Sequence, residues 1–299
     1  MAAPPSSASG AGALGATTLV VAGLICQEVG AAIAVTLFPE VGSVGMVTLR
    51  LVFSAIILLL VFRPSLRGRS AADWRTVVGF GLVLAVMNVF FYLALARLHL
   101  GVTVTIEVIG PLILSVVISR RASAWLWAAL AFAGVILLGR GGFDSLDPIG
   151  VLFALGAGAA WVGYILLAAR TGRGFERLDG LAIAMAIGSV AVLPFGIATT
   201  GSTLVLPHIL LLGLAVAVLS SAIPYGLELI ALRRLPAATF SILLSLAPAL
   251  AALAGLIVLG QHLELLDVVA IGLVVIASMG AVRAARDRGI PEPEPLPAP

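Results

Sequence analysis

Ten long runs of apolar residues, separated by short loops, constrain the fold of this chain more than any other feature. Each run is close to the ~20 residues that a helix needs to cross ~30 Å of hydrocarbon. In lipid the backbone must satisfy its own hydrogen bonds, so such runs are expected to be helices. The predicted membrane-spanning segments are residues 14–37, 43–62, 74–96, 100–119, 122–139, 148–169, 178–200, 207–230, 236–257 and 264–283.

The composition agrees with an all-α membrane protein in contact with the lipid bilayer. The chain is 61% hydrophobic and only 10% charged, and its mean hydropathy is +1.20. A soluble domain with so little charge could not solvate its surface. All 17 basic residues are arginines, and they lie mostly in the loops, where membrane topology needs them. We therefore expect no binding of nucleic acid, and the loops leave no room for a soluble catalytic or receptor domain.

The predicted segments divide the chain into two halves. Residues 14–139 form a first five-helix repeat and residues 148–283 a second. An Ala-, Gly-, Ser- and Pro-rich tail over residues 1–13 is expected to be disordered, and a Pro-rich cytoplasmic tail covers residues 284–299. The N-terminal tail lacks the positive region of a signal peptide, so the first segment is expected to be retained. A homodimer is left open by the sequence.

Neither a cofactor nor a metal site is predicted. The single cysteine, Cys26, excludes a disulfide framework and a cysteine-based metal site. His99, His208 and His262 lie near separate loops and are too scattered to share an ion.

An internal repeat carries the first indication of function. Residues 94–111, ALARLHLGVTVTIEVIGP, align without a gap with residues 231–248, and the offset is 137 residues throughout. Pro111 and Pro248 occupy the same place in the two copies, and each removes a hydrogen bond inside a helix. In lipid, a freed carbonyl is tolerated only against protein or a water-filled cavity. Matched, proline-interrupted segments in two halves are typical of a transporter binding site.

The arginines predict the orientation of the chain. Fourteen lie in loops or at the C-terminus on one side, against Arg97 and Arg140 on the other. The positive-inside rule then places both termini of this multi-pass chain in the cytoplasm. Five segments per half put the two halves in opposite orientations. The sequence therefore predicts an inverted repeat, as alternating access requires.

Polar residues inside the predicted helices are candidates for the transport pathway. A charge at the bilayer centre costs roughly 2.5–3.5 kcal/mol, so each charged residue inside a helix is expected to have a structural or functional role. At ~1.5 Å per residue, Glu28, Arg50, Asn88 and Glu107 lie at similar depths, about 10–14 Å below the outer face. An amino-acid zwitterion needs such a set, with the arginine fork for its carboxylate and an acid for its ammonium group. The alternative interpretation is a structural ion pair between Arg50 and Glu107.

No residue is predicted to be catalytic, and the other pathway candidates come from both halves. Asn88 and Tyr225 are equivalent in the repeat, which favours both facing a central cavity. Glu228 has an alternative role, pairing with Arg233 or Arg234 at the inner interface, and Trp161 and Tyr164 are alternatively interface anchors. The full set of predicted pathway residues is Gln27, Glu28, Arg50, Asn88, Tyr92, Glu107, Pro111, Trp161, Tyr164, Tyr225, Glu228, Ser245 and Pro248.

Several consecutive motifs resemble one known family of transporters. They are FPEVGSVGMVTLRL (38–51), MNVFFYLAL (87–95), LGVTVTIEVIGPL followed by SRR (100–121), LGAGAAWVGYIL (155–166) and IPYGLELIALRRLP…APALAAL…LG (223–260). Together they resemble the EamA-type branch of the drug/metabolite transporter superfamily, and within it the inner-membrane threonine/homoserine exporter subgroup. The resemblance covers essentially residues 17–283.

The resemblance implies a ten-helix inverted-repeat carrier that exports small hydrophilic amino acids in exchange for protons. Arg50, Glu107 and Glu228 match polar residues of the family pattern. Two departures concern acids: the chain has Ala247 before the second-half proline and Gln261 after Gly260, where the subgroup tends to have acidic residues. If the missing acid normally couples protons or binds ammonium, that task falls to Glu107 or Glu28, or the substrate has changed.

Other function classes fit the sequence less well. A broad-specificity drug or metabolite exporter of the same superfamily is the main alternative. An intramembrane enzyme would need a catalytic set, and no HExxH motif or Ser/His or Asp/Asp pair occurs in any predicted helix. A membrane scaffold would not need matched proline breaks.

Overall fold

The computed structural model describes residues 10–119, 122–138, 146–175, 178–232, 240 and 243–286. The described part of the chain is helical and contains no strand. Its helices are α1 (Gly10–Thr36), α2 (Phe38–Phe62), α3 (Ala71–Leu95), α4 (Leu100–Glu107), α5 (Ile109–Ser119), α6 (Ala122–Leu138), α7 (Pro148–Gly174), α8 (Asp179–Thr200), α9 (Pro207–Ala217), α10 (Ile223–Leu232), α11 (Ala247–Leu259) and α12 (Leu265–Arg286). A 3₁₀ turn, Gly201–Val205, precedes α9, and a π-helical segment, Val218–Ala222, joins α9 to α10.

The lengths and composition of these helices fit a multi-pass membrane protein. Within the described ranges, six helices are long and apolar enough to cross a membrane. Four shorter apolar helical stretches accompany them: Leu100–Leu114, Trp125–Leu137, Ala247–Leu259 and Leu265–Ala281. Large apolar side chains such as Leu60, Ile257 and Leu265 are mostly exposed, as expected for surfaces that face lipid.

Three predicted helices differ from continuous spans. The segment predicted over residues 100–119 is broken at Val108 into α4 and α5. The segment predicted over 207–230 changes to π-helical hydrogen bonding before α10. In the segment predicted over 236–257, residues 236–239 and 241–242 lie outside the described residues, and a turn at residues 245–246 precedes α11. Prolines explain the position of these breaks, because Pro111, Pro224 and Pro248 follow them closely.

The ends of the long helices are fixed by local hydrogen bonds. Ser70 and Asp73 form a reciprocal capping box at the start of α3. Asp147 caps α7, since its carboxylate accepts the backbone N–H groups of Ile149 and Gly150 at 2.8 and 3.1 Å. Gly260 ends α11 with a φ of +65°, a conformation that glycine adopts without a steric cost. α1 begins at Gly10, within the stretch predicted to be a disordered tail.

Helices of the two halves pack against one another rather than forming separate bundles. α2 packs on α8, α4 on α11 and α6 on α12. α3 packs along α7, while α1 packs against α10 and α11. One buried cluster lies among α2, α3, α8 and α9, and another among α1, α4, α11 and α12. The interface between the halves is therefore the core of the molecule, and a site formed there receives side chains from both.

Candidate functional site: a polar cavity between the two halves

A cavity of about 220 Å³ lies between the two halves of the chain. Seven helices and Leu244, which lies just before the turn that precedes α11, contribute to its wall. The lining residues are Leu24, Gln27, Arg50, Met87, Asn88, Phe91, Glu107, Trp161, Tyr164, Tyr225, Leu244 and Ala247. Among the described residues, the cavity thus combines one cation, one acid, two amides and several aromatic rings within an otherwise apolar protein.

Arg50 is the cation of this cavity, and neutral groups hold it. Its Nη1 donates to the Oδ1 atom of Asn88 at 2.8 Å, and its Nη2 donates to the backbone carbonyl of Ser220 at 3.3 Å. Its guanidinium carbon lies 5.6 Å from the centroid of the Tyr92 ring, within the range of a cation–π interaction. The buried Nε of Arg50 has no hydrogen-bond partner among the described residues. The guanidinium is therefore oriented, but no acid among the described side chains forms a hydrogen bond with it.

Two buried acids lie near this arginine without forming an ion pair with it. Glu107 lines the cavity and is 8% exposed, while Glu28 is 2% exposed and its Oε2 has no hydrogen-bond partner among the described residues. Arg50 interacts electrostatically with both carboxyl groups. The ion pairs found in the described part of the chain are Arg97–Asp147 and His208–Glu40, both near the surface. A structural ion pair between Arg50 and Glu107, the alternative interpretation of the sequence, is therefore wrong for this structure.

The helix breaks place Glu107 at the cavity wall. α4 ends at Glu107, and Pro111 cannot supply the N–H that would pair with the Glu107 carbonyl. Here α5 and α7 approach each other very closely. A Cβ added at Gly110 would overlap the backbone of Gly158. In the second half, a turn at residues 245–246 precedes Pro248 in the same way. The breaks at Val108 and at residue 245 are separated by 137 residues, the offset of the sequence repeat.

Most of the predicted pathway residues gather at this cavity. Gln27, Arg50, Asn88, Glu107 and Tyr225 line it. Trp161 and Tyr164 line it as well. The predicted residues that lie behind the wall or near the breaks are Glu28, Tyr92, Pro111, Ser245 and Pro248. The backbone of Glu228 belongs to α10, but its side chain lies outside the described residues, as do Arg233 and Arg234.

Several residues of the cavity gave no signal in the sequence. Leu24, Met87, Phe91 and Leu244 are apolar residues in apolar helices, so no pattern separates them from residues that face lipid. The acceptor on Ser220 is a backbone carbonyl, which every residue carries. The sequence could have drawn attention to it only through Pro224, four residues later.

The two positions that depart from the family pattern have different surroundings. Ala247 lines the cavity, so its small side chain leaves space where an acid would stand. Gln261 is not part of the wall. Its Oε1 accepts the backbone N–H of Leu100 at 3.0 Å and so caps the start of α4. The absence of an acid at position 261 therefore affects a helix end and not the charge of the cavity.

Comparisons with known proteins identify relatives over most of the chain. A family model described as the EamA-like transporter family matches residues 148–283. The threonine/homoserine exporter RhtA of Salmonella typhimurium (strain SL1344) is 41% identical over 260 residues, which cover 86% of this chain and 88% of the relative. RhtA of Escherichia coli (strain K12) is 40% identical over 260 residues, which again cover 86% of this chain and 88% of the relative. One solved crystal structure has the same fold, with a TM-score of 0.62 at 17% identity, covering 91% of this chain and 98% of the other.

Proposed function

This chain belongs to the EamA-like transporter family, and we propose that it exports threonine, homoserine or closely related small amino acids in exchange for protons. Its relatives of 40–41% identity are named threonine/homoserine exporters, and they align with this chain over nearly nine-tenths of their length. The observation that carries the proposal is Arg50, a cation at the cavity wall whose hydrogen bonds go to neutral acceptors.

The chemistry of the cavity suits an amino-acid zwitterion. A carboxylate can form charge-assisted hydrogen bonds with the planar guanidinium of Arg50, which orients it as well as attracting it. Glu107 offers an acceptor for the ammonium group on the same cavity. Gln27 and Asn88 add amide groups that could bind the hydroxyl of threonine or homoserine.

The size of the cavity favours this proposal over a broad-specificity drug exporter. Pockets for drug-sized ligands usually have volumes of about 300–1,000 Å³. The volume here is about 220 Å³, and Trp161, Tyr164 and Phe91 form part of the wall. A small metabolite fits such a volume, whereas most drugs would require the helices to separate.

The packing of the helices supports alternating access between two inverted halves. The contacts between helices follow a two-fold relation when each helix of the first half is matched with its counterpart in the second. The matched pairs are α1 with α7, α2 with α8, α3 with the α9–α10 stretch, α4–α5 with α11, and α6 with α12. α3 packs on α7 while its counterpart α10 packs on α1, and the pairs α2–α8, α4–α11 and α6–α12 each join counterparts. The matched breaks before Pro111 and Pro248 follow the same relation. With the arginine-rich loops inside, both termini are cytoplasmic.

Proton exchange follows from the balance of charges around Arg50. Two buried acids, Glu28 and Glu107, share one cation. A buried carboxylate without a counter-charge is costly, so the second acid needs either a proton or the ammonium group of a substrate. Substrate and proton then compete for the same carboxyl groups, which is the basis of antiport.

Binding of two matched ligands to the purified protein tests this assignment. Threonine and its amino alcohol, in which CH₂OH replaces the carboxylate, differ only in the group that Arg50 is proposed to bind. A hydrogen bond to a charged group contributes about 1.5–3 kcal/mol, so wild-type protein should prefer threonine by at least about tenfold. Arg50→Gln should lose most of this preference while keeping its affinity for the amino alcohol. An unchanged preference in Arg50→Gln would remove Arg50 from the site.

A further inference from the structure

The stretch from α9 to α10 contains an interruption at the level of the cavity. The π-helical segment Val218–Ala222 is followed by Pro224 in the first turn of α10. In a regular α-helix the N–H of residue 224 would donate to the carbonyl of Ser220, but proline has no N–H. The Ser220 carbonyl therefore lacks that partner. In a membrane protein such a carbonyl must find another donor.

Arg50 supplies that donor from the other half of the molecule. Its Nη2 lies 3.3 Å from the Ser220 carbonyl oxygen. Its Nη1 donates to Asn88, whose own Nδ2 donates to the backbone carbonyl of Leu84 at 2.9 Å and so fixes the amide. The guanidinium is thus held between a fixed amide on α3 and a backbone carbonyl next to α10.

Close helix packing keeps the Ser220 carbonyl in place. Gly30 of α1 faces the π-helical segment, and a Cβ at this position would overlap the Ser220 side chain and lie 3.0 Å from the Cβ of Leu219. Ser220 itself is 2% exposed. The segment therefore has little freedom to turn its carbonyl away from Arg50.

We propose that Pro224 is a positioning residue for Arg50, and that it acts by freeing the Ser220 carbonyl to hold the guanidinium. A neutral acceptor orients the arginine without neutralising its charge, so the cation stays available for the carboxylate of the substrate. An acid in the same place would compete with that carboxylate. The inference rests on the proposed function, because it assumes that Arg50 binds the carboxylate of an amino acid.

Replacing Pro224 with a residue that has an N–H tests the inference. In Pro224→Ala the restored N–H can donate to the Ser220 carbonyl within the helix, so Arg50 loses an acceptor. We expect the KM for threonine in reconstituted vesicles to rise about two- to tenfold, the effect of one hydrogen bond, with a smaller change in maximal rate. Pro224→Ser restores the same N–H and should behave alike. Pro194→Ala, which removes an exposed proline inside α8, is the matched control and should keep the wild-type KM.

The amino alcohol of threonine separates positioning of Arg50 from a general structural effect. Because it carries no carboxylate, its KM should be the same in wild type and in both Pro224 variants. A KM for threonine equal to that of wild type in both variants would overturn the inference alone, and so would an equal rise for the amino alcohol. If wild-type protein transports neither threonine nor homoserine, the proposed function fails, and this inference fails with it.

Discussion

The approach of α7 to the break between α4 and α5 gives a prediction whose magnitude follows from the structure. A Cβ added at Gly158 would lie 2.6 Å from the carbonyl oxygen of Glu107 and 3.3 Å from its carbonyl carbon. Ordinary contacts begin at 3.4 Å, so the two backbones must separate by about 0.8 Å in Gly158→Ala. Both atoms belong to the backbone of Glu107, and no side-chain rotamer can relieve the overlap.

Two effects should follow from this displacement. Overpacking of this kind costs about 1–3 kcal/mol, which exceeds the gain of up to about 1 kcal/mol from replacing glycine by alanine in a helix. Glu107 also moves by nearly the same distance as the backbone. A misplacement of about 1 Å can cost two orders of magnitude in rate, so we expect threonine flux to fall between about ten- and a hundredfold.

The assay is threonine flux in vesicles, together with thermal unfolding of the purified protein. Gly172→Ala on the same helix is the matched control, because a Cβ there meets nothing within 4 Å. It should keep the wild-type rate. If Gly158→Ala also kept the wild-type rate and unfolding temperature, the close contact between α7 and Glu107 would not exist as described.

Two further predictions concern charged groups. Hydrogen bonds from the Arg97 side chain, and then from the backbone of Gly150 and Ile149, hold the pKa of Asp147 below its ordinary value of 3.8. A lowered carboxyl pKa stabilises the fold above that ordinary value, and the contribution is lost as the pH falls through the lower, folded-state pKa. Asp147→Asn should therefore lower the unfolding temperature at pH 7, and its difference from wild type should shrink below about pH 4; a difference independent of pH would contradict this origin. In Glu107→Gln the side chain at position 107 cannot bind or release a proton, so threonine flux in this variant should depend less on pH. An unchanged pH profile would assign proton coupling to Glu28 instead.

The sequence predicted site residues wherever a polar side chain occurs in an apolar helix. Arg50, Asn88 and Glu107 stand out in apolar helices, and their depths follow from counting residues from the helix ends. The structure places all three on one cavity. Pro111 and Pro248 likewise predicted interruptions, because each removes an N–H and leaves a helix carbonyl without its partner.

The interactions of these residues could not be predicted in the same way. Opposite charges at similar depth suggested an ion pair between Arg50 and Glu107, but depth says nothing about the direction in which each helix face points. The arginine instead contacts an amide and a backbone carbonyl. The change to π-helical hydrogen bonding before Pro224 is a shift of register in a segment that packs closely against Gly30. Neither feature has a sequence pattern of its own.

Accumulation of labelled threonine and homoserine in vesicles with an acidic interior tests the central claim most directly. In an antiporter, protons leaving the vesicle drive the amino acid inward. The account predicts that wild-type protein accumulates at least one of the two amino acids above its external concentration, and that a protonophore abolishes the accumulation. Uptake no greater than in protein-free vesicles would contradict amino-acid transport. Uptake that stops at equal concentrations, whatever the pH difference, would contradict proton exchange.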